Sequence, residues 1–170
     1  FELSWGRDPR RVQAAESERS IGAEETFPQD VDDLEVVGQE VLRLSEKIAV
    51  RLRRAGLTGR TVVLKVRFAD FTTITRSRTV SGPLDVGRDI YLVAQELLDA
   101  LGLQRARLRL VGVRVEGLRA ESESPRQLEL GARDQGWREA EEAMDRAATR
   151  FGKDSVQPAR LVRPRPWDSD

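Results

Sequence analysis

The sequence predicts an α+β fold: a four-stranded sheet with two helices on one face, followed by a linker and a C-terminal helix. Three observations predict it. Two stretches repeat apolar residues every three or four positions, as one side of an α-helix does. Around them, apolar residues alternate at period two, as on a half-buried strand. The elements run β-α-β-β-α-β, an order that builds a single sheet with both helices on the same side.

The first element is a short extended stretch, SIGAEETF (20–27), with Ile21, Ala23 and Phe27 on one parity. PQDVDD then supplies a stop and a helix start, with Asp30 as the expected cap. Asp32 and Asp33 fit a helix N-terminus better than a metal site. From Leu34 the stripe runs Leu34, Val37, Val41, Leu44, Ile48, Leu52 and Ala55, and Gly56 is placed to end it. Arg43, Lys47, Arg51 and Arg54 lie off the stripe. In the second strand Val62, Leu64, Val66 and Phe68 alternate with Val63, Lys65, Arg67 and Ala69. A short turn leads to TTITRSRTV, rich in β-branched residues. There Ile74 and Val80 share parity with Arg76 and Arg78, so either Ile74 is exposed or a bulge shifts the phase. Asp85 is the expected cap of the second helix, whose stripe is Ile90, Ala94, Leu97, Leu98 and Leu101, ended by Gly102. In the last strand Leu108 and Leu110 are even while Val113 and Val115 are odd. A bulge at 111–112 reconciles them, turning these four to the core and Arg107, Arg109 and Arg114 outward together.

After Leu118 the composition becomes polar and Pro/Gly-punctuated, as in a linker. Trp137, Ala140, Met144, Ala147 and Phe151 then form a third helical stripe. A Pro-rich tail follows, expected to be loosely held.

Composition removes several kinds of chemistry. The chain has no cysteine and no histidine, so disulfides, thiolate metal sites and imidazole acid–base catalysis are absent. No P-loop or Gly-rich dinucleotide turn occurs. No apolar run reaches the roughly 20 residues of a membrane span, and cysteine usage fits a cytoplasmic setting. The first residues, FELSWGRDPR, carry neither an initiator Met nor a signal peptide, as though cut from a longer protein. These features point to a binding module and not a catalyst, with no membrane partner and no cofactor of its own.

Charge locates the partner. Basic and acidic residues balance at 29 each over the whole chain, yet 60–119 holds 11 basic against 6 acidic. Lys65 and Arg67 share a strand face, and Arg76 and Arg78 stand two apart on the next strand. Such spacing is about 7 Å, close to that of phosphates along a nucleic-acid strand. Arg107 and Arg109 add to the open face. No aromatic is interleaved there, which favours backbone contact with a duplex over base stacking. A free-standing ferredoxin-like RNA-binding domain is an alternative that the same lack of aromatics disfavours. One segment is odd for a linker: in SPRQLELGARDQG, Leu128 and Leu130 form an apolar pair that so polar a stretch cannot bury in itself.

Three blocks, ERSIGAEETF, GRTVVLKVRFADFTTITRSRTV and RLRLVGVRVEGL, resemble the little-finger domain of Y-family DNA polymerases of the DNA polymerase IV (DinB-type) branch. The segment WREAEEAMDRAATRFGKDSVQPARLV is similar to the C-terminal extension of such proteins in Arg-rich actinobacteria. The resemblance implies a β-α-β-β-α-β module, tethered to the thumb, whose open sheet lies along primer–template DNA and which carries none of the catalytic carboxylates. Residues 1–15 would be the end of the thumb and connector, 16–120 the little finger, 121–136 the linker, and 137–170 the C-terminal helix and tail. By position, Arg76 and Arg78 match paired arginines on the DNA-contacting strand, and Arg19 and Ser20 match the backbone-contacting end of the connector. Gln127, Leu128 and Leu130, with Gly131 next, match the peptide by which polymerase IV proteins dock on the bacterial sliding clamp. The parent would be a DNA-directed DNA polymerase using Mg and acting in translesion synthesis, with palm, fingers and thumb as further partners. An inactive polymerase-like accessory protein of DNA repair is the alternative within the family.

Overall fold

A computed structural model describes residues 20–124, 135–153, 155–162 and 165–168. Its elements are β1 (Ser20–Val31), α1 (Leu34–Arg54), β2 (Leu57–Phe68), β3 (Thr73–Leu84), α2 (Gly87–Asp99), β4 (Leu108–Glu116), a two-residue β5 (Arg119–Ala120) and α3 (Gln135–Phe151). The sheet is antiparallel in the order β1-β4-β2-β3, and β5 pairs with the start of β2. The expected class and element order hold; the fifth strand is the addition.

Both helices lie against the same side of the sheet. Val41, Ile48 and Leu52 of α1 and Ile90 and Ala94 of α2 are fully buried against Val62, Val66, Val111 and Val115. Each large aliphatic side chain so buried contributes roughly 1.5–3 kcal/mol. The ends of the α1 stripe leave the core: Leu34 is 39% exposed and Ala55 is exposed. Gly56, at φ +63, closes the helix in a backbone region that favours glycine.

Four local expectations are corrected. β1 continues past Pro28 to Val31, so Asp33 caps α1, accepting from Glu35 N at 2.9 Å. Asp30 instead pairs with Arg109. In β4 the irregularity falls at Arg109 and not at 111–112: Leu108 opposes Phe68 while Leu110 opposes Arg67. Val111 therefore faces the core, opposite Val66, and Leu110 turns to the other side. Opposed residues of an antiparallel pair share a face. Arg76 opposes Leu64 and Arg78 opposes Val62, so both arginines leave the sheet on its helix side. Ile74 opposes Val66 on that side too, half-buried against the core, and needs no bulge to get there. The register shift of this pair lies beyond Thr79.

The fourth correction concerns α2 and α3. Asp85 does not cap α2; Val86 holds that position without a side-chain bond. The cap comes from α3. Glu141 accepts from Gly87 N at 2.8 Å and from Arg88 N at 3.2 Å. The same carboxylate receives Arg53 Nη1 at 2.5 Å, and Arg53 forks onto Asp145 at 2.7 and 3.1 Å. Arg138 bonds Asp85 at 3.0 Å and also Glu121. The docking line of α3 is thus Arg138, Glu141 and Asp145, while Trp137 and Phe151 of the expected apolar stripe are 52% and 71% exposed. The tail is also seated: Leu161 is buried, Arg160 bonds Glu35 and Tyr91, and Trp167 packs edge-on against Phe27 at 5.5 Å.

Candidate nucleic-acid interface

The face of the sheet away from the helices is built row by row from the register. Across β1, β4, β2 and β3 the rows read Ser20–Glu116–Thr61–Thr79, Gly22–Arg114–Val63–Ser77, Glu24–Gly112–Lys65–Thr75 and Thr26–Leu110–Arg67–Thr73. Its features follow from single residues. Gly22 and Gly112 put no side chain on their rows, which leaves a shallow concavity of about 450 Å³ whose lining includes Gly22, Glu24, Lys65, Thr75, Gly112 and Arg114. A Cβ on Gly22 would come 3.2 Å from Arg114, and one on Gly112 would come 3.1 Å from Glu24. The glycines thereby let neighbouring strands' side chains close over them.

Lys65 reaches across Gly112 to Glu24 at 2.9 Å, and Arg114 pairs with Glu116 at 2.7 Å. Both pairs are solvent-exposed, a setting in which an ion pair is worth only about 0.2–1 kcal/mol. Arg67 donates to Thr73 Oγ1 at 3.0 Å. Thr73, Thr75, Ser77 and Thr79 form a hydroxyl column along the edge strand. The face therefore offers three cations, two held by weakly bound carboxylates that a phosphate can replace, and a row of hydrogen-bonding hydroxyls.

Of the residues singled out in the sequence, Lys65, Arg67 and Ser20 come together on this face. Arg76 and Arg78 do not: Arg78 pairs with Glu96 of α2, and Arg76 donates to Thr75 O at 3.0 Å. Arg109 is half-buried at one end of the sheet, bonded to Asp30 at 3.1 Å and stacked 4.4 Å from the Phe71 ring centroid. Arg107 is exposed just before β4, its carbonyl accepting from Ala69 N. Arg19, Gln127, Leu128 and Leu130 lie outside the described residues. Sequence reasoning expected Thr and Ser of this strand to add phosphate hydrogen bonds but grouped them with Arg76 and Arg78, and it missed the pairing of Glu24 with Lys65. The alternation of Thr73, Thr75, Ser77 and Thr79 was the available signal, but only the register says which parity faces out.

Among the described residues no helix is long and apolar enough to cross a membrane, and no group of three or more ligating side chains is placed to hold a metal ion. Residues 18–130 match the model of the impB/mucB/samB family C-terminal domain. Curated relatives include the DNA polymerase IV of Streptomyces coelicolor, 42% identical over 118 residues (69% of this chain, 24% of that protein). Another is the DNA polymerase IV of Desulfatibacillum aliphaticivorans, 36% identical over 164 residues (95% and 41%). The chain thus spans less than half the length of these relatives. A solved complex of the beta-clamp processivity factor with the little finger domain of PolIV aligns at TM-score 0.50 and 25% identity, over 66% of this chain and 99% of that one. The insertion ternary complex of Dbh DNA polymerase shares the fold at TM-score 0.51 and 16% identity, over 58% and 28%. The chain belongs to the impB/mucB/samB family, and residues 18–130 are its C-terminal domain, the little finger of DNA polymerase IV homologues.

Proposed function

We propose that this chain is the non-catalytic little-finger part of a Y-family translesion DNA polymerase, gripping the backbone of primer–template DNA and tethering its parent to the bacterial sliding clamp. One observation carries the reading: the open sheet face presents Lys65, Arg67 and Arg114 beside a hydroxyl column, with two of the cations parked on exposed carboxylates. A DNA phosphate displaces Glu24 from Lys65 at small cost, because both groups are already wet, and gains a charge-assisted contact. Ser20 and, at the connector, Arg19 extend the grip; Arg76, Arg78, Arg107 and Arg109 flank it from the edge strand and the sheet end. Gln127, Leu128 and Leu130 dock the clamp as an extended peptide, two leucines entering apolar pockets. The parent is a cytoplasmic DNA-directed DNA polymerase with palm, fingers and thumb. The Mg such a polymerase uses belongs with those catalytic parts. The division into 1–15, 16–120, 121–136 and 137–170 is part of the same reading.

The test is the salt dependence of primer–template binding by the purified chain. Lys65→Ala, Arg67→Ala and Arg114→Ala combined should lower the log–log slope by about 2–3 units. Arg76→Ala with Arg78→Ala, whose side chains leave the edge strand on the helix side, should lower it by less, about 0–1. Glu24→Gln should tighten binding by freeing Lys65. An unchanged slope in the triple variant removes the sheet face as the contact. Leu128→Ala with Leu130→Ala should abolish clamp binding and leave DNA affinity intact; equal clamp binding by both chains removes the peptide reading.

A further inference from the structure

The turn between β2 and β3 holds a large aromatic where a hairpin tip needs none. Phe71 is 64% exposed and sits at φ +67, a left-handed backbone that bulky residues avoid. The tip is fixed in spite of that. Phe68 N donates to Thr72 O at 2.9 Å and Phe71 N to Phe68 O at 3.0 Å. Asp70 accepts from Thr72 N at 2.9 Å. A second non-glycine residue with positive φ, Arg105 at +62, lies in the loop before β4. The two loops are tied by the bond from Ala69 N to Arg107 O at 3.0 Å. Strained backbone held by surrounding bonds at one end of a sheet is the kind of observation from which a functional role is argued.

The chemistry around the ring narrows the partner. The Arg109 guanidinium lies 4.4 Å from the ring centroid, and Asp30 holds it at 3.1 and 3.4 Å. One face of the ring is thus backed by an immobilised cation, and most of the ring remains open. Arg105 and Arg107 are exposed in the adjoining loop, and Arg67 stands in the last open-face row beside Leu110. The tip neighbours Asp70, Thr72 and Thr73 are polar and exposed, so among the described residues the ring is bordered along the tip by polar groups and not by a contiguous apolar patch. A single rigid aromatic backed by arginine in a basic setting matches base stacking.

We infer that Phe71, backed by Arg109, is a stacking platform for an unpaired base where a nucleic acid held on the sheet face passes from double to single strand. This rests on the sheet-face reading and adds to it a contact that depends on strandedness. Phosphates flanking that base meet Arg67, Arg105 and Arg107.

The experiment compares a blunt duplex with a primer–template of the same paired length, carrying 2-aminopurine in its overhang, both titrated against the full chain. The wild type should bind the overhang substrate roughly tenfold more tightly and quench the 2-aminopurine. Phe71→Ala should remove both the preference and the quench while leaving blunt-duplex affinity and its salt slope unchanged. Phe71→Trp should keep both. If Phe71→Ala retains the preference and the quench, or if the wild type shows neither, the platform is overturned though duplex binding stands. If instead blunt duplex is bound with a slope indifferent to the Lys65, Arg67 and Arg114 substitutions, it is the sheet-face reading that fails. If Phe71→Ala weakens both substrates equally, the tip serves the fold or a protein contact, which also overturns the inference.

Discussion

The sheet-and-helix body and the C-terminal arm are held by different physics. In the body, Val41, Ile48, Leu52, Val62, Val66 and Val115 are fully buried in one apolar cluster. The arm, α3 and the segments after it, touches the body mainly through ions: Arg53 with Glu141 and Asp145, Arg138 with Asp85, Arg160 with Glu35, Arg165 with Glu25. Leu161 and Trp167 are its main apolar anchors. Apolar burial responds little to pH or salt, whereas ionic docking answers to both. The body is thus a fixed platform, and the seat of the arm is conditional.

The largest expected effect falls on Arg53. Its side chain is 7% exposed and Glu141 is 4% exposed, so removing the cation strands Glu141 in a nearly dry site, with the part-exposed Asp145 beside it. Breaking such a pair costs about 3–5 kcal/mol where the partners cannot reach water. Here α3 can leave, taking Glu141 and Asp145 back into solvent. Arg53→Ala should therefore release the arm while the body stays folded: limited proteolysis should cut within 135–153 early, with the body destabilised only by loss of the α2 cap and of the Arg53 bond to Asp85 O, about 1–2 kcal/mol. Leu64→Ala should do the reverse, costing about 2–5 kcal/mol of body stability with no selective cleavage of the arm. Equal protease resistance of the arm in both variants would show that body and arm form one cooperative unit.

A second, smaller effect is pH. Glu46 lies in the same cluster, close enough that a Cβ on Gly87 would come 2.6 Å from its carboxylate. Burial, and then the negative charge of Glu141, push its pKa from 4.5 to about 7; Arg53 opposes this and Asp145 adds to it. The folded chain thus holds this proton more tightly than the unfolded chain does. The stability it contributes is complete below pH 4.5 and is lost as pH rises through about 7. The full swing is at most about 3 kcal/mol. Glu46→Gln should raise the urea midpoint at pH 8 and flatten its decline between pH 5 and 8. A midpoint that falls equally steeply in the variant would place the titrating group elsewhere.

The same contrast explains what was legible in the sequence. Period and parity located α1, β2 and α2 because apolar residues were there to be buried, and burial is what periodicity records. They failed where polar groups decide the structure. In α3 the spacing of Trp137, Ala140, Met144, Ala147 and Phe151 is helical, yet the side that docks is Arg138, Glu141 and Asp145. Their partner Arg53 sits next to Leu52 in a run of arginines from which nothing local distinguishes it. On the sheet, the paired Arg76 and Arg78 read as one basic surface with Lys65 and Arg67. The register assigns them to opposite faces, and register is a long-range property that a single strand does not carry. Arg109 is the counterpart case: the irregularity in β4 was visible as a change of parity, but its position follows from the pairing with Phe68 and Arg67.

The smallest effect separates the two kinds of contact within the arm itself. Trp167 meets Phe27 edge-to-face with centroids 5.5 Å apart and planes at 65°. Phe27 is only 4% exposed, so truncating the tryptophan uncovers core-facing apolar surface. Such an aromatic pair is worth about 0.5–1.5 kcal/mol beyond its area. Two residues earlier, Arg165 bonds Asp168 at 2.9 Å and pairs with Glu25 at 3.4 Å, with 29% of its side chain exposed. Raising salt to about 1 M shrinks the screening length to roughly 3 Å and removes most of the value of the Arg165 contacts. It leaves the Trp167 contact untouched or slightly strengthened. Trp167→Ala should therefore cost about 1 kcal/mol at both low and high salt, while the cost of Arg165→Ala, about 0.5 kcal/mol at low salt, should shrink at high salt to what its stacking over the Trp167 ring retains. Urea unfolding of both variants at the two salt concentrations decides it. If the two substitutions show the same salt dependence, the tail is held as a single unit and the separation of apolar from ionic anchoring does not extend to it.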